Sequence, residues 1–327
     1  MDNPKKWQGV HGANYIASYA RNRVEMWGRF DPRVIDRELE YAQSRGLNSV
    51  RVWLDCRPDW EYPNVILKRF EKFLDLCGKH KLTVMPILFD SCGIEEKDFK
   101  EQGEDIHWRR WIANPGYDYL FPEHWDKLEK YVKDIVGTFL NDPRILAWDV
   151  MNEPWCNRNP ENDEHKSVVQ RFLKHFAELV RSLNPDAPIT IGVTALDRAE
   201  YVEDLIDLIS FHSYETDPGR WKLLLMEANQ YAELKGKPIL LTEWGYPTWG
   251  TQASVGRLMT DEDQLKFYET VMPLVQESKI GWHFFDLIMG YGPFARLSVL
   301  KPNGDRRPSA LVIERYLGKN KKRVEAA

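Results

Sequence analysis

The chain has 327 residues, of which 43% are hydrophobic and 29% charged, proportions that supply a sizeable core and exclude a disordered polymer. A formal net charge of −5 speaks against a polyanion such as nucleic acid as partner, and no apolar stretch is long enough to span a bilayer. From the N-terminus, the run from Val10 to Asn14 reads as a first strand. Asp31-Pro32 then pairs an N-cap with a proline at the first helical position. The apolar spacing of Val34, Ile35, Leu39 and Ala42 runs on to a stop at Gly46. Asn48 to Leu54 is the next strand, Ile66 to Gly78 a helix, Leu82 to Phe89 a strand, and Pro122 to Leu140 a helix.

Ile145 to Asn152 is a fourth apolar run, ending at Glu153. Val168 to Leu183 is helical, Ile189 to Val193 and Asp207 to His212 are strands, and Trp221 to Leu234 is a helix. Pro238 to Thr242 is a strand ending at Glu243. Helix Asp261 to Gln276 and strand Ile280 to Phe285 complete the series. Strand and helix alternate throughout, and eight such units predict a single-domain (β/α)8 barrel over residues 1–327, with chemistry at the C-terminal ends of the strands. An open doubly wound sheet is the alternative, but no Gly-rich phosphate loop follows any strand. The one long irregular segment, 90–121, carries Trp108, Trp111, Tyr117, Tyr119 and Phe121, and would overhang the active face.

Two glutamates delivered to the rim of a rigid sheet are what glycosidic bond cleavage needs: one protonates the leaving oxygen, the other attacks or activates water. Arg51, inside Val50-Arg51-Val52-Trp53, is a charge within a buried strand and requires a carboxylate partner, either Glu243 or another acid. His212 and Tyr214 are two residues apart and point the same way by strand alternation. The thirteen tryptophans fit a sugar cleft, where indole faces stack on pyranose rings. Of the four cysteines, none has CxxC spacing. Cys56, Cys92 and Cys156 each follow a predicted strand and would share one face. Free buried thiols are the simpler reading, with a Cys92–Cys156 disulfide or a metal site as the alternative.

Asn152-Glu153-Pro154 after one strand, Thr242-Glu243-Trp244-Gly245 three strands later, and His212-Ser213-Tyr214 between them resemble the retaining β-glycosidases of glycoside hydrolase clan A, with family 5 and its close relatives nearest. The resemblance covers essentially the whole chain in element order. It implies hydrolysis of a β-linked oligo- or polysaccharide by double displacement, with Glu153 as general acid/base and Glu243 as nucleophile. It further implies that Asn152 donates to the substrate 2-hydroxyl, that Tyr214 donates to the nucleophile, and that His212 lines the site. Arg51 would hold Glu243. Asn14 and Tyr15 would contact sugar or support Arg51, and Trp244 joins the supporting set.

Two departures stand out. Strand three ends Phe89-Asp90-Ser91-Cys92, where many relatives place a histidine. Strand eight puts Phe285 where relatives carry a tryptophan platform, for which Trp282 would compensate only in a different register. No cofactor and no metal is expected. A non-catalytic sugar-binding barrel remains open as a rival function, as does a metal-dependent hydrolase using Asp55, Asp90 and His212, although no HxH or HExxH occurs. The tail Lys319 to Arg323 reads as a solvated C-terminus. The segment from Met1 to Trp7 lacks the apolar core of a signal peptide, which implies a cytoplasmic chain as the sequence stands, or a secreted one if a leader was trimmed. The sugar, endo or exo action and oligomeric state are left open.

Overall fold

A computed structural model describes residues 4–57, 64–93, 95, 111–156, 163–246, 259–291 and 295–324. Eight parallel strands close into a barrel in sequential order: β1 His11–Tyr15, β2 Ser49–Trp53, β3 Thr83–Asp90, β4 Trp148–Asn152, β5 Ile189–Val193, β6 Ile209–Ser213, β7 Ile239–Trp244 and β8 Gly281–Phe284. The helices are α1 Pro4–Gln8, α2 Arg23–Arg29, α3 Pro32–Ser44, α4 Val65–Lys79, α5 Trp125–Thr138, α6 Asp163–Leu183, α7 Pro218–Lys235, α8 Asp261–Ser278 and α9 Pro308–Val324.

Local sequence sets the helix starts. Asp31 accepts from the backbone N–H groups of Arg33 and Val34 with Pro32 in the first turn. Asp217 caps α7 in the same way before Pro218, and Thr260 with Asp263 forms a reciprocal capping box on α8. Each such cap stabilises its helix by about 1 kcal/mol. Between β5 and β6 the crossover carries a 3-10 turn, Leu196–Tyr201, in place of a full helix. Helices α2 and α9 are additions that the periodicity did not single out. Among the described residues, no helix is long and apolar enough to cross a membrane.

The strands separate two environments. Outward-facing Val50, Val52, Phe89, Val150, Ile191 and Leu241 are buried under the helices. The barrel interior combines an apolar cluster that includes Met85 and Leu240 with polar pairs: Ser49 Oγ meets His283 Nε2 at 2.9 Å, and Ser210 pairs with Thr242. At the closing seam, His11, Gly12 and Ala13 of β1 pair with Trp282, His283 and Phe284 of β8. With His283 turned inward, alternation sends Trp282 outward. Trp282 is fully buried against Trp244, at a ring separation of 5.9 Å. Trp244 in turn packs on Trp221 and Tyr268. Both indoles, expected among the substrate contacts, are therefore core residues of the helix layer. Tyr15 also points outward and donates to Glu38 at 2.8 Å, so it neither reaches sugar nor supports Arg51.

Within the aromatic segment, Trp108 lies outside the described residues, as do the side chains of Lys319 to Arg323. The described part returns to the rim. Trp111 is buried edge-on to Trp53, and Asn114 exchanges backbone hydrogen bonds with Asp90 at 2.8 Å.

Candidate active site

Glu153 and Glu243 meet on the C-terminal rim of the barrel. Carboxylate oxygens of both, with a ring nitrogen of His212, all lie within 4.8 Å of one another. Glu243 projects from the end of β7. Its Oε1 accepts from Arg51 Nη1 at 2.6 Å, and its Oε2 accepts from Tyr214 Oη at 2.8 Å. The Tyr214 ring is 41% exposed to the cleft while its hydroxyl is turned in on the carboxylate. Phe285 lies across from it, 6.3 Å between ring centres, and edge-on to Trp53. The floor position thus belongs to Phe285, and Trp282 does not compensate.

Arg51 organises the centre. Besides Glu243, its guanidinium donates to Asp149 Oδ2 at 2.8 Å, Asn152 Oδ1 at 2.7 Å and Asn14 Oδ1 at 3.1 Å. Both acids that the sequence could offer are therefore engaged. Asn14 Nδ2 donates onward to the Thr242 carbonyl at 2.8 Å, which makes Asn14 a buried support for Arg51, out of reach of sugar. The cation has room because β5 carries Gly192: a β-carbon there would lie 2.7 Å from Arg51 Nη2. Asn152 donates to Asp90 Oδ1 at 3.1 Å, and Asp90 is held by buried Arg23 at 2.6 Å and by the Trp111 indole. Asp55 is likewise committed to Arg23 and Arg57. Asp55, Asp90 and His212 consequently do not form the metal set the rival reading needed.

Glu153 occupies the turn after β4 with φ of 44°, in the left-handed region that non-glycine residues enter at a cost of about 1–2 kcal/mol. The turn is held by Glu153 N–H to the Gly192 carbonyl at 2.7 Å and by Cys156 N–H to the Glu153 carbonyl at 2.9 Å. It aims the carboxylate at His212, whose Nδ1 lies 2.6 Å from Oε1 and 3.7 Å from Glu243 Oε2. Cys92 Sγ donates to Oε2 at 2.9 Å, and Cys156 Sγ lies within 4.8 Å of Cys92 Sγ and of a Glu153 oxygen. All four cysteines are free thiols. Cys56 and Cys77 are buried, but Cys92 is only half-buried and Cys156 is exposed, so the expectation of uniformly buried thiols fails for this pair.

The two carboxyls differ electrostatically. Burial raises the Glu153 pKa, but the His212 bond and charge, with the two thiols, outweigh it and bring it down to about 2. At Glu243 burial raises the pKa and prevails over His212 and Arg51, with the negative charge of Glu153 adding to the rise. This order is the reverse of what an acid and a nucleophile require. The His212 contact is the main cause of the lowering at Glu153. A proton that settles on Glu153 across the 2.6 Å His212–Glu153 contact makes it a neutral acid and relieves Glu243 of the neighbouring negative charge. Among the described residues, buried His212 Nε2 has no hydrogen-bond partner.

Sequence reasoning missed Asp149; it named Asp90, Cys92 and Cys156 but did not place Asp90 against Asn152 or the two thiols beside Glu153. Asp149 had a signal, an acid within an apolar run. Its facing was hidden by the register shift between Asp149 and Asn152, which turns both side chains to Arg51.

Comparison with known proteins matches residues 12–289 to Cellulase (glycosyl hydrolase family 5). Mannan endo-1,4-beta-mannosidase A of Podospora anserina is 26% identical over 145 residues, 37% of this chain and 37% of that protein. Mannan endo-1,4-beta-mannosidase 8 of Oryza sativa subsp. japonica is 23% identical over 210 residues, 56% of this chain and 52% of that protein. The chain thus aligns with about half, or less, of these relatives' lengths. Among solved structures, the exo-beta-1,4-mannosidase Op5Man5 from Opitutaceae bacterium strain TAV5 superposes with a TM-score of 0.70 at 18% identity, covering 96% of this chain and 60% of that one.

Proposed function

Because the chain belongs to glycosyl hydrolase family 5, we propose that it is a retaining β-glycoside hydrolase that acts on a β-mannose-containing oligo- or polysaccharide. The observation that carries the reading is the spacing of the two carboxylates, within 4.8 Å at their facing oxygens. Retaining enzymes hold the pair about 5–5.5 Å apart, while inverting enzymes leave about 6.5–9.5 Å for a water. Glu243 attacks the anomeric carbon while Glu153 passes its proton to the departing glycosidic oxygen, forming a glycosyl ester. Water then attacks the same carbon, returns a proton to Glu153, and frees Glu243.

Arg51 and Tyr214 hold both oxygens of Glu243 in line, which fixes the nucleophile before substrate arrives. The His212–Glu153 line supplies and recovers the proton. The mannose assignment is supported by the names of the relatives, and a neutral glycan suits a chain of net charge −5. NMR of the first product released from an aryl β-mannoside is the test. The β-anomer is expected first, and an α-anomer would overturn the mechanism. Turnover of aryl β-glucosides but not β-mannosides would overturn the sugar.

A further inference from the structure

Glu153 is flanked on the side away from His212 by two thiols that the hydrolytic cycle does not use. Cys92 Sγ, Cys156 Sγ and a Glu153 oxygen lie within 4.8 Å of one another, and the Cys92–Glu153 contact is 2.9 Å. Neither thiol is tied up in a disulfide, and Cys156 is exposed, which opens the group to solvent. Around a tetrahedral zinc ion, with Zn–S of about 2.3 Å and Zn–O of about 2.0–2.2 Å, neighbouring ligand atoms stand about 3.3–3.8 Å apart. Shifts of about an ångström therefore convert the trio into three ligands of such an ion, with the fourth position left for water.

We propose that Cys92, Cys156 and Glu153 form a site for a thiophilic divalent cation, zinc being the best fit, whose occupancy reversibly silences hydrolysis. Binding forms two Zn–S bonds and one Zn–O bond, and the two thiol protons pass to solvent. Burial first, then the Cys156 contact and the Asp90 and Glu153 charges, hold the Cys92 thiol up, so the cation must displace its proton as it binds. The other cluster that could take a cation, Glu153 with His212 and Glu243, is disfavoured, because Arg51 and Tyr214 already occupy the Glu243 oxygens and Arg51 is cationic. Zinc on Glu153 Oε2 withdraws charge from the whole carboxylate, so that Oε1 no longer takes up the proton the cycle needs. The silencing, though not the binding, rests on Glu153 being the acid/base.

The test uses the reduced, chelator-treated chain. Cobalt(II), the spectroscopic stand-in for zinc, should bind one ion per chain with thiolate-to-metal charge-transfer absorption. Zinc should abolish aryl glycoside turnover in step with its binding, and a chelator should restore it. Cys92→Ser and Cys156→Ser should each weaken zinc affinity at least about tenfold, and the double variant should lose the thiolate band. Absence of that band in the unsubstituted chain would overturn the site, as would inhibition of the double variant at the same zinc concentration. A thiolate band with turnover intact would uphold the site and overturn the silencing, together with the acid/base role of Glu153.

Discussion

Glu243 and Glu153 are neighbours in one cleft with opposite surroundings. Glu243 is gripped by a guanidinium, itself anchored by Asn14 and Asp149, and by a phenol. Glu153 sits on a left-handed turn among an imidazole and two thiols, groups that take and give protons. The contrast separates two demands on a carboxylate. A nucleophile must hold one geometry and one charge, so it is built into the rigid strand end with fixed partners. An acid/base must change charge twice per cycle, so its partners must titrate with it.

Substitutions break this comparison in order of severity. Glu243→Ala should lower turnover by about 10⁴-fold or more on every substrate, because no ester can form. Azide should then restore cleavage of an activated aryl glycoside with inverted configuration. Residual activity near that of the unsubstituted chain would end the nucleophile assignment. Glu153→Ala should cost about 10²–10⁴-fold on poor leaving groups, while activated aryl glycosides still give a burst in stopped-flow traces, since their first step needs little protonation. Azide should rescue this variant with retention. Equal loss on good and poor leaving groups would show that Glu153 is not the acid.

The smallest effect sharpens the contrast without catalysis. The Glu153 pKa is depressed in the folded state, so its contribution to stability is present above about pH 4.5 and fades as the pH falls toward about 2. Glu243 is raised, so the folded chain binds the proton more tightly than the unfolded one, and stability declines as the pH climbs through that raised value. Glu153→Gln should therefore destabilise the fold at neutral pH by about 1–3 kcal/mol. Glu243→Gln should stabilise it. Urea denaturation at pH 7 reads both signs, and equal signs would refute the electrostatic contrast.

The barrel was legible because continuous apolar runs alternate with capped helical periods, and each run marks one strand. The pair of glutamates was legible because each ends such a run, and Arg51, His212 and Tyr214 because a polar group in a buried strand needs a reason. Trp244 and Trp282 were placed on the wrong side, although alternation from Glu243 and His283 would have sent them outward. Phe285 then stands on the floor without help from Trp282. The thiols were illegible as neighbours of the acid. They lie in turns after β3 and β4, where no periodicity fixes direction, and only the turn at Glu153 brings them together.

Arg51 reaches from the second strand across the barrel axis to a carboxylate on the seventh, and Asn14 ties the first strand to carbonyls of the seventh and eighth. The two halves of the chain each hold one glutamate, and neither half holds a complete centre. Turnover is therefore a reporter of closure. In a refolding experiment followed by both circular dichroism and substrate cleavage, catalytic competence should return only after the last strand has docked on the first, later than the bulk of the helical signal.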